Sequence, residues 1–315
     1  MTNANNQNKQ SFGRFTLTMA CNLAAPHTWP AAILPTSVAV ACAAATGGTV
    51  SFSISCVLLA ICILMQSSVN TFNDYYDYVK GADSIDDDVD PSDAVLLYNN
   101  VNPRSALALA VGLLVAAFAL GIYVIWQAGI IPLIIGIIGA VFVVLYSAGK
   151  TPISYLPIGE VVSGVVMGGL IPLACYYVLS GSLTPLALLW ALPEILGVGL
   201  IMFTNNTCDI EKDVDANRHT LSVVLGREKA RRAYHAVLYT WIIAIVVLVA
   251  FYFTKGVIAL PFMILSAYPM LKALLANPLA PQSRQAAMSQ VCSANIALGA
   301  WYTAAIFASN AAIML

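Results

Sequence analysis

The stretch SFSISCVLLAICILMQSSVNTFNDYYDYVKGADSIDDDVD, residues 51–90, decides the fold. No charge interrupts it up to Val69, and seven aspartates then arrive between Asp74 and Asp90. A run of roughly 20 apolar residues crosses the hydrocarbon core of a bilayer as a helix. The segment therefore reads as a transmembrane helix that presents carboxylates as it leaves the membrane. The whole chain agrees: of its 315 residues 60% are hydrophobic and only 9% charged. Its long segments are apolar all round rather than striped, which excludes an ordinary soluble globule.

Apolar runs between polar breaks predict an all-α, polytopic membrane bundle of about nine helices around a central cavity open to the cytoplasmic side. The spans fall near 18–46, 50–72, 104–127, 130–148, 157–179, 185–204, 235–253, 257–275 and 288–313. Residues 1–17 are expected to be a cytoplasmic tail, since they lack the pattern of a secretory signal, and 18–315 a single transmembrane domain. With the amino terminus inside, thirteen of the fourteen Lys and Arg residues face the cytoplasm and only Lys255 faces out. The seven cysteines form no C-x-x-C pair and read as small buried hydrophobes. The net charge of −1 is uninformative about partners, and no nucleic-acid partner is expected.

The acids are not scattered. Twelve of the fifteen lie in two clusters, one between Asp74 and Asp93 and one comprising Asp209, Glu211, Asp213 and Asp215. Asn70 and Asp74 are four apart and Asp77 follows three later; Asn205, Asp209 and Asp213 are spaced by four throughout. Each set would form one helical stripe of an amide and two carboxylates. Stacked carboxylates repel unless a cation sits among them, and Mg²⁺ characteristically takes one or two carboxylates plus substrate phosphate oxygens. Two such groups facing each other would clamp a diphosphate. Asp86, Asp87, Asp88 and Asp90, with no such spacing, read as a solvated loop. Lys80, Lys212 and Arg218 are placed to hold diphosphate oxygens, although each also satisfies the charge asymmetry of the loops. The run GREKARRAY, 226–234, reads as an interfacial anchor.

Four segments carry a family resemblance: APHTWPAAILP (25–35), NTFNDYYDYVKGAD (70–83), YSAGKTPISYLPIGE (146–160) and NNTCDIEKDVDANRHTLSVVLG (205–226). Together they resemble the UbiA superfamily of intramembrane prenyltransferases, and within it the 1,4-dihydroxy-2-naphthoate branch of menaquinone synthesis. The resemblance implies Mg²⁺ held by Asp74, Asp77, Asp83, Asp209 and Asp213, with Asn70, Asn73 and Asn206 beside them. It implies a polyprenyl diphosphate as donor, 1,4-dihydroxy-2-naphthoate as aromatic acceptor, and transfer with loss of CO₂ at the cytoplasmic side of the cell membrane. His27, Tyr146 and Glu160 are further candidates for substrate contact, and Tyr155 for shielding a carbocation. Another aromatic acceptor, such as 4-hydroxybenzoate, is the nearest alternative. From a different class, a cation-coupled transporter would also place carboxylates in membrane helices, but it predicts them near mid-span, where only Glu194 lies.

Overall fold

A computed structural model describes residues 12–47, 50–81 and 94–310. Every regular element among them is helical: α1 (Leu17–Leu23), α2 (Pro30–Ala45), α3 (Phe52–Lys80), α4 (Val95–Tyr98), α5 (Pro103–Ala128), α6 (Ile131–Ser147), α7 (Gly159–Ser163), α8 (Ile171–Ser180), α9 (Pro185–Trp190), α10 (Leu192–Cys208), α11 (Ile210–Asp215), α12 (Leu221–Leu225), α13 (Arg227–Tyr252), α14 (Leu260–Ala276) and α15 (Arg284–Asn310). Among the described residues six helices are long and apolar enough to cross a bilayer, or seven if α1 and α2 count as one bent span.

The nine expected positions are occupied in order, but two of them differ from a simple rod. The first span is bent by 54° where Ala25 takes a left-handed φ of 46° and Pro26 starts a new turn. The sixth is split into α9 and α10 at Ala191. The fourth, α6, has only 17 residues, so nine is an approximate count of full crossings.

The acidic helix α3 has 29 residues, about 43 Å at 1.5 Å per residue, against a hydrocarbon core of about 30 Å. The surplus carries its last turns beyond the apolar zone, and Gly81 ends it in the left-handed conformation that a glycine adopts without strain. Asp77 and Lys80 thus ride on a rigid rod clear of the lipid.

The core is built from α2, α8, α10, α13 and α15, around Leu200, Tyr234, Leu238, Ile245, Leu298 and Tyr302. Between α7 and α8 the backbone widens into a π-helical turn, Gly164–Leu170. Two glycines there seat α10 against the backbone. A Cβ at Gly164 would lie 2.5 Å from the Ile195 carbonyl oxygen, and one at Gly168 would lie 2.5 Å from the Glu194 carbonyl carbon. Small residues four apart let membrane helices approach this closely. The seating fixes Glu160 and Asn206, on the helices either side of that contact, at the charged end of the bundle.

Candidate active site

A cavity of about 230 Å³ opens between α3, α5, α6 and α8. Its walls are apolar, among them Leu58, Met65, Phe118, Phe142 and Met167, and its polar end is formed by Gln66, Asn70, Asn73 and Tyr146. Gly121 and Gly136 line it where a side chain would meet nothing within 4 Å. An elongated apolar molecule entering from lipid would have its tail among Leu58 and Phe118 and its head at the asparagines.

Charged groups from α3, α11 and the loop after α11 meet above that polar end. Arg218 Nη2 donates to Asp77 Oδ1 at 2.6 Å, and its Nη1 stands 3.9 Å from Asp213 Oδ1. The Arg218 guanidinium lies 4.8 Å from the ring centre of Tyr155, and the Lys80 ammonium 5.0 Å from the same ring. Lys80 Nζ also donates to the Ser147 carbonyl oxygen at 2.8 Å, while the Ser147 hydroxyl donates to the Asn73 side chain. The loop after α11 makes this possible: Asn217 turns with φ 55°, Arg218 N–H donates to the Asp213 carbonyl and His219 N–H to the Tyr155 carbonyl. Burial opposes the Arg218 charge, but Asp77, Tyr155 and Asp213 outweigh it and hold its pKa above the usual value. Burial pushes the Asp213 carboxyl up to about 6, although Arg218 and the Thr220 hydroxyl, 3.1 Å away, favour its ionised form.

Asn206 Nδ2 donates to Glu160 Oε1 at 2.8 Å beneath this cluster, and Glu160 Oε2 is buried with no hydrogen-bond partner. Asn70 Nδ2 donates to the Thr28 hydroxyl at 2.7 Å and so ties α3 to the turn after α1.

The chain matches the UbiA prenyltransferase family over residues 32–310. It belongs to that family. The UbiA chain is 29% identical over 242 residues to 1,4-dihydroxy-2-naphthoate octaprenyltransferase of Bacillus subtilis (strain 168), over 76% of each sequence. It is 25% identical over 301 residues to UbiA prenyltransferase domain-containing protein 1 of Danio rerio, over 92% of this chain and 86% of that one. Its fold matches a UbiA homolog from Archaeoglobus fulgidus with a TM-score of 0.66 at 14% identity, covering 92% of this chain and 98% of that one. The same homolog bound to DMAPP and Mg²⁺ matches with a TM-score of 0.58 at 14% identity, over 94% and 100% of the two chains. The protein is a multi-pass membrane prenyltransferase, and the transporter alternative falls.

Within the UbiA chain the predicted site residues divide. Asp77, Lys80, Asn73, Tyr146, Tyr155, Glu160, Asn206, Asp213 and Arg218 gather at or beside the polar end of the cavity. Asp74 does not join them: it is buried, and its two oxygens accept from the backbone N–H groups of Val95 at 2.6 Å and Leu96 at 3.2 Å. Its carboxylate fastens α4 to α3. Asp209 turns the other way, 3.0 Å from Arg284 Nε, and Arg284 Nη2 also donates to Asn205 at 2.6 Å. The expected stripe of Asn205, Asp209 and Asp213 is broken because the helix ends at Cys208, so Asp213 alone turns toward Arg218. His27 is exposed on the turn after α1, and it is Thr28 that bonds to Asn70. Lys212 is half-buried beside Asp213, whose ionised form its charge favours. Asp83, Asp86, Asp87, Asp88 and Asp90 lie outside the described residues.

Among the described residues no three His, Cys, Asp or Glu side chains converge, so Asp74, Asp77, Asp209 and Asp213 do not share one metal cage; the fifth expected ligand, Asp83, lies outside those residues. What remains fits a divalent ion of the magnesium type on a smaller scale. Asp77 and Asp213 face each other across one guanidinium, with the amides of Asn73 and Asn206 below, and two carboxylates plus phosphate oxygens are the usual Mg²⁺ donor set.

Removing the Asp74 carboxylate gives a distinguishing result. Asp74→Ala would leave two buried backbone donors unpaired, at about 1–3 kcal/mol each. The variant is expected to melt earlier than the parent without added metal, and earlier than Asp77→Ala, which gives up one partly exposed ion pair with Arg218. Equal destabilisation by both would show that Asp74 is no fastening.

Proposed function

We propose that this enzyme transfers a polyprenyl group from polyprenyl diphosphate to 1,4-dihydroxy-2-naphthoate, in the cell membrane with its charged end toward the cytoplasm. The observation that carries the reading is the continuity of an apolar cavity with a mouth holding two cations and two carboxylates. The relatives named for 1,4-dihydroxy-2-naphthoate octaprenyl transfer support the acceptor, and the neighbour bound to DMAPP and Mg²⁺ supports the donor and the metal.

Asp77 and Asp213 would hold Mg²⁺, which when bound neutralises the charge developing on the leaving diphosphate. Lys80 and Arg218 grip the diphosphate oxygens, Arg218 through two nitrogens and Lys80 as a point charge. The apolar walls take the tail and exclude water from the allylic carbon as its bond to oxygen breaks. Tyr146 and Phe142 offer ring faces to the cationic carbon. The acceptor ring then supplies the electron pair for the new carbon–carbon bond, and its carboxylate leaves as CO₂.

Purified protein in nanodiscs, given 1,4-dihydroxy-2-naphthoate and farnesyl diphosphate, is expected to form prenylated product only with Mg²⁺ and to lose about 10²–10³-fold in rate on Asp77→Asn. The Mg²⁺ requirement should rise as pH falls below about 6, because the Asp213 proton competes with the ion there. Turnover of 4-hydroxybenzoate but not the naphthoate would overturn the acceptor. Turnover indifferent to Mg²⁺ would overturn the metal.

A further inference from the structure

The prenyl-transfer site does not use the basic cluster at the start of α13. Arg227, Glu228, Arg231, Arg232 and His235 line a recess at the charged end of the bundle, on the flank of a single helix. Arg227 is committed: it donates to Glu211 at 2.6 Å, to the Thr207 carbonyl at 3.0 Å and to the Leu279 carbonyl. Arg231 and His235 are not. Arg231 Nη2 reaches the Asn277 carbonyl only at 3.4 Å, while Arg231 Nε and His235 Nε2 are buried without a hydrogen-bond partner. Buried nitrogens without partners are rare and call for an explanation.

Arg232 is exposed beside them, and Glu228 is the one carboxylate at the rim, so the recess keeps a positive balance. Below it the same ridge of α13 continues through Tyr239, Ile243, Val247 and Phe251, all exposed and, after the tyrosine, all apolar. A basic recess directly above an exposed apolar ridge matches one kind of molecule: a phosphate-bearing head at the water boundary with a hydrocarbon chain beneath it.

We propose that Arg231, Arg232 and His235 form a headgroup site for an anionic glycerophospholipid, whose acyl chain lies along Tyr239, Ile243 and Val247. The phosphate oxygens accept from Arg231 Nε and the Arg232 guanidinium, and His235 Nε2 completes the contact. A zwitterionic lipid brings its own cation to the same place and gains less.

Native mass spectrometry of the full chain in detergent, titrated with dioleoylphosphatidylglycerol, tests this. The parent is expected to retain the anionic lipid in preference to dioleoylphosphatidylcholine. Arg232→Gln should weaken retention about fivefold, and Arg231→Gln with Arg232→Gln about thirtyfold. Lys229→Gln, exposed on the same helix but not in the recess, should change it little. Because Arg232 is exposed, its single variant carries the test even where the double variant fails to fold. Prenyl transfer by Arg232→Gln in nanodiscs lacking anionic lipid is expected to match the parent, which keeps this site separate from the reaction. Retention equal for both lipids, or unaltered in Arg232→Gln, would overturn the proposal. Displacement of the lipid by equimolar inorganic diphosphate would reassign the recess to a soluble anion and overturn it too.

Discussion

Arg218→Ala is expected to reduce prenyl transfer by about 10²–10³-fold while leaving the protein folded. The arginine joins Asp77 to Asp213 and stacks on Tyr155, so its loss would remove the proposed diphosphate ligand and the order of three neighbours together. Two carboxylates would then lose the guanidinium between them in a mostly buried place. Deleting one partner of a fully buried pair costs about 3–5 kcal/mol; with Asp77 30% exposed, solvent screening lowers that to roughly 2 kcal/mol. Initial rates and melting curves on one preparation check both figures. Arg218→Lys restores the charge but not the two-armed reach, and should recover stability more than rate. Full activity in Arg218→Ala would remove this residue from the diphosphate site.

A second large effect is expected far from the chemistry. Gly168→Ala places a methyl group 2.5 Å from the Glu194 carbonyl carbon, which belongs to backbone and has no flexible end to swing aside. The π-helical turn and α10 must part, at about 3 kcal/mol. The parting also separates Glu160 on α7 from Asn206 on α10, now joined at 2.8 Å. Melting temperature and rate should therefore fall together. Gly112→Ala, on the open face of α5 with nothing within 4 Å, should alter neither. A stable Gly168→Ala protein with normal turnover would mean that the close helix contact is dispensable.

Much of the site was legible because its signals are local. A charge-free run followed by aspartates marks where α3 leaves the membrane, and the amide–carboxylate spacing marks Asp74, Asp77, Asp209 and Asp213 alike, of which Asp77 and Asp213 stand beside Arg218. What stayed hidden depends on contacts distant along the chain. Asp209 meets Arg284 from 75 residues away, and nothing in the spacing of either residue announces the pair. Asp74 looks like Asp77 in sequence, yet it lies on the side of α3 where α4 returns, so its carboxylate holds backbone. The prolines of PHTWP, 26–30, mark the bend at Ala25, but counting apolar runs by length alone carries the first span across it. The π-helical turn is hidden because a widened backbone leaves apolar composition unaltered.

The unbroken length of α3 has a consequence for how substrate is read. Leu58 at the apolar end of the cavity and Asp77 at its mouth stand on one helix, about 28 Å apart along its axis, with no hinge between them. On the proposed reading, head and tail would be gauged together by a single fixed caliper, and only the portion of an isoprenoid within that span would be measured.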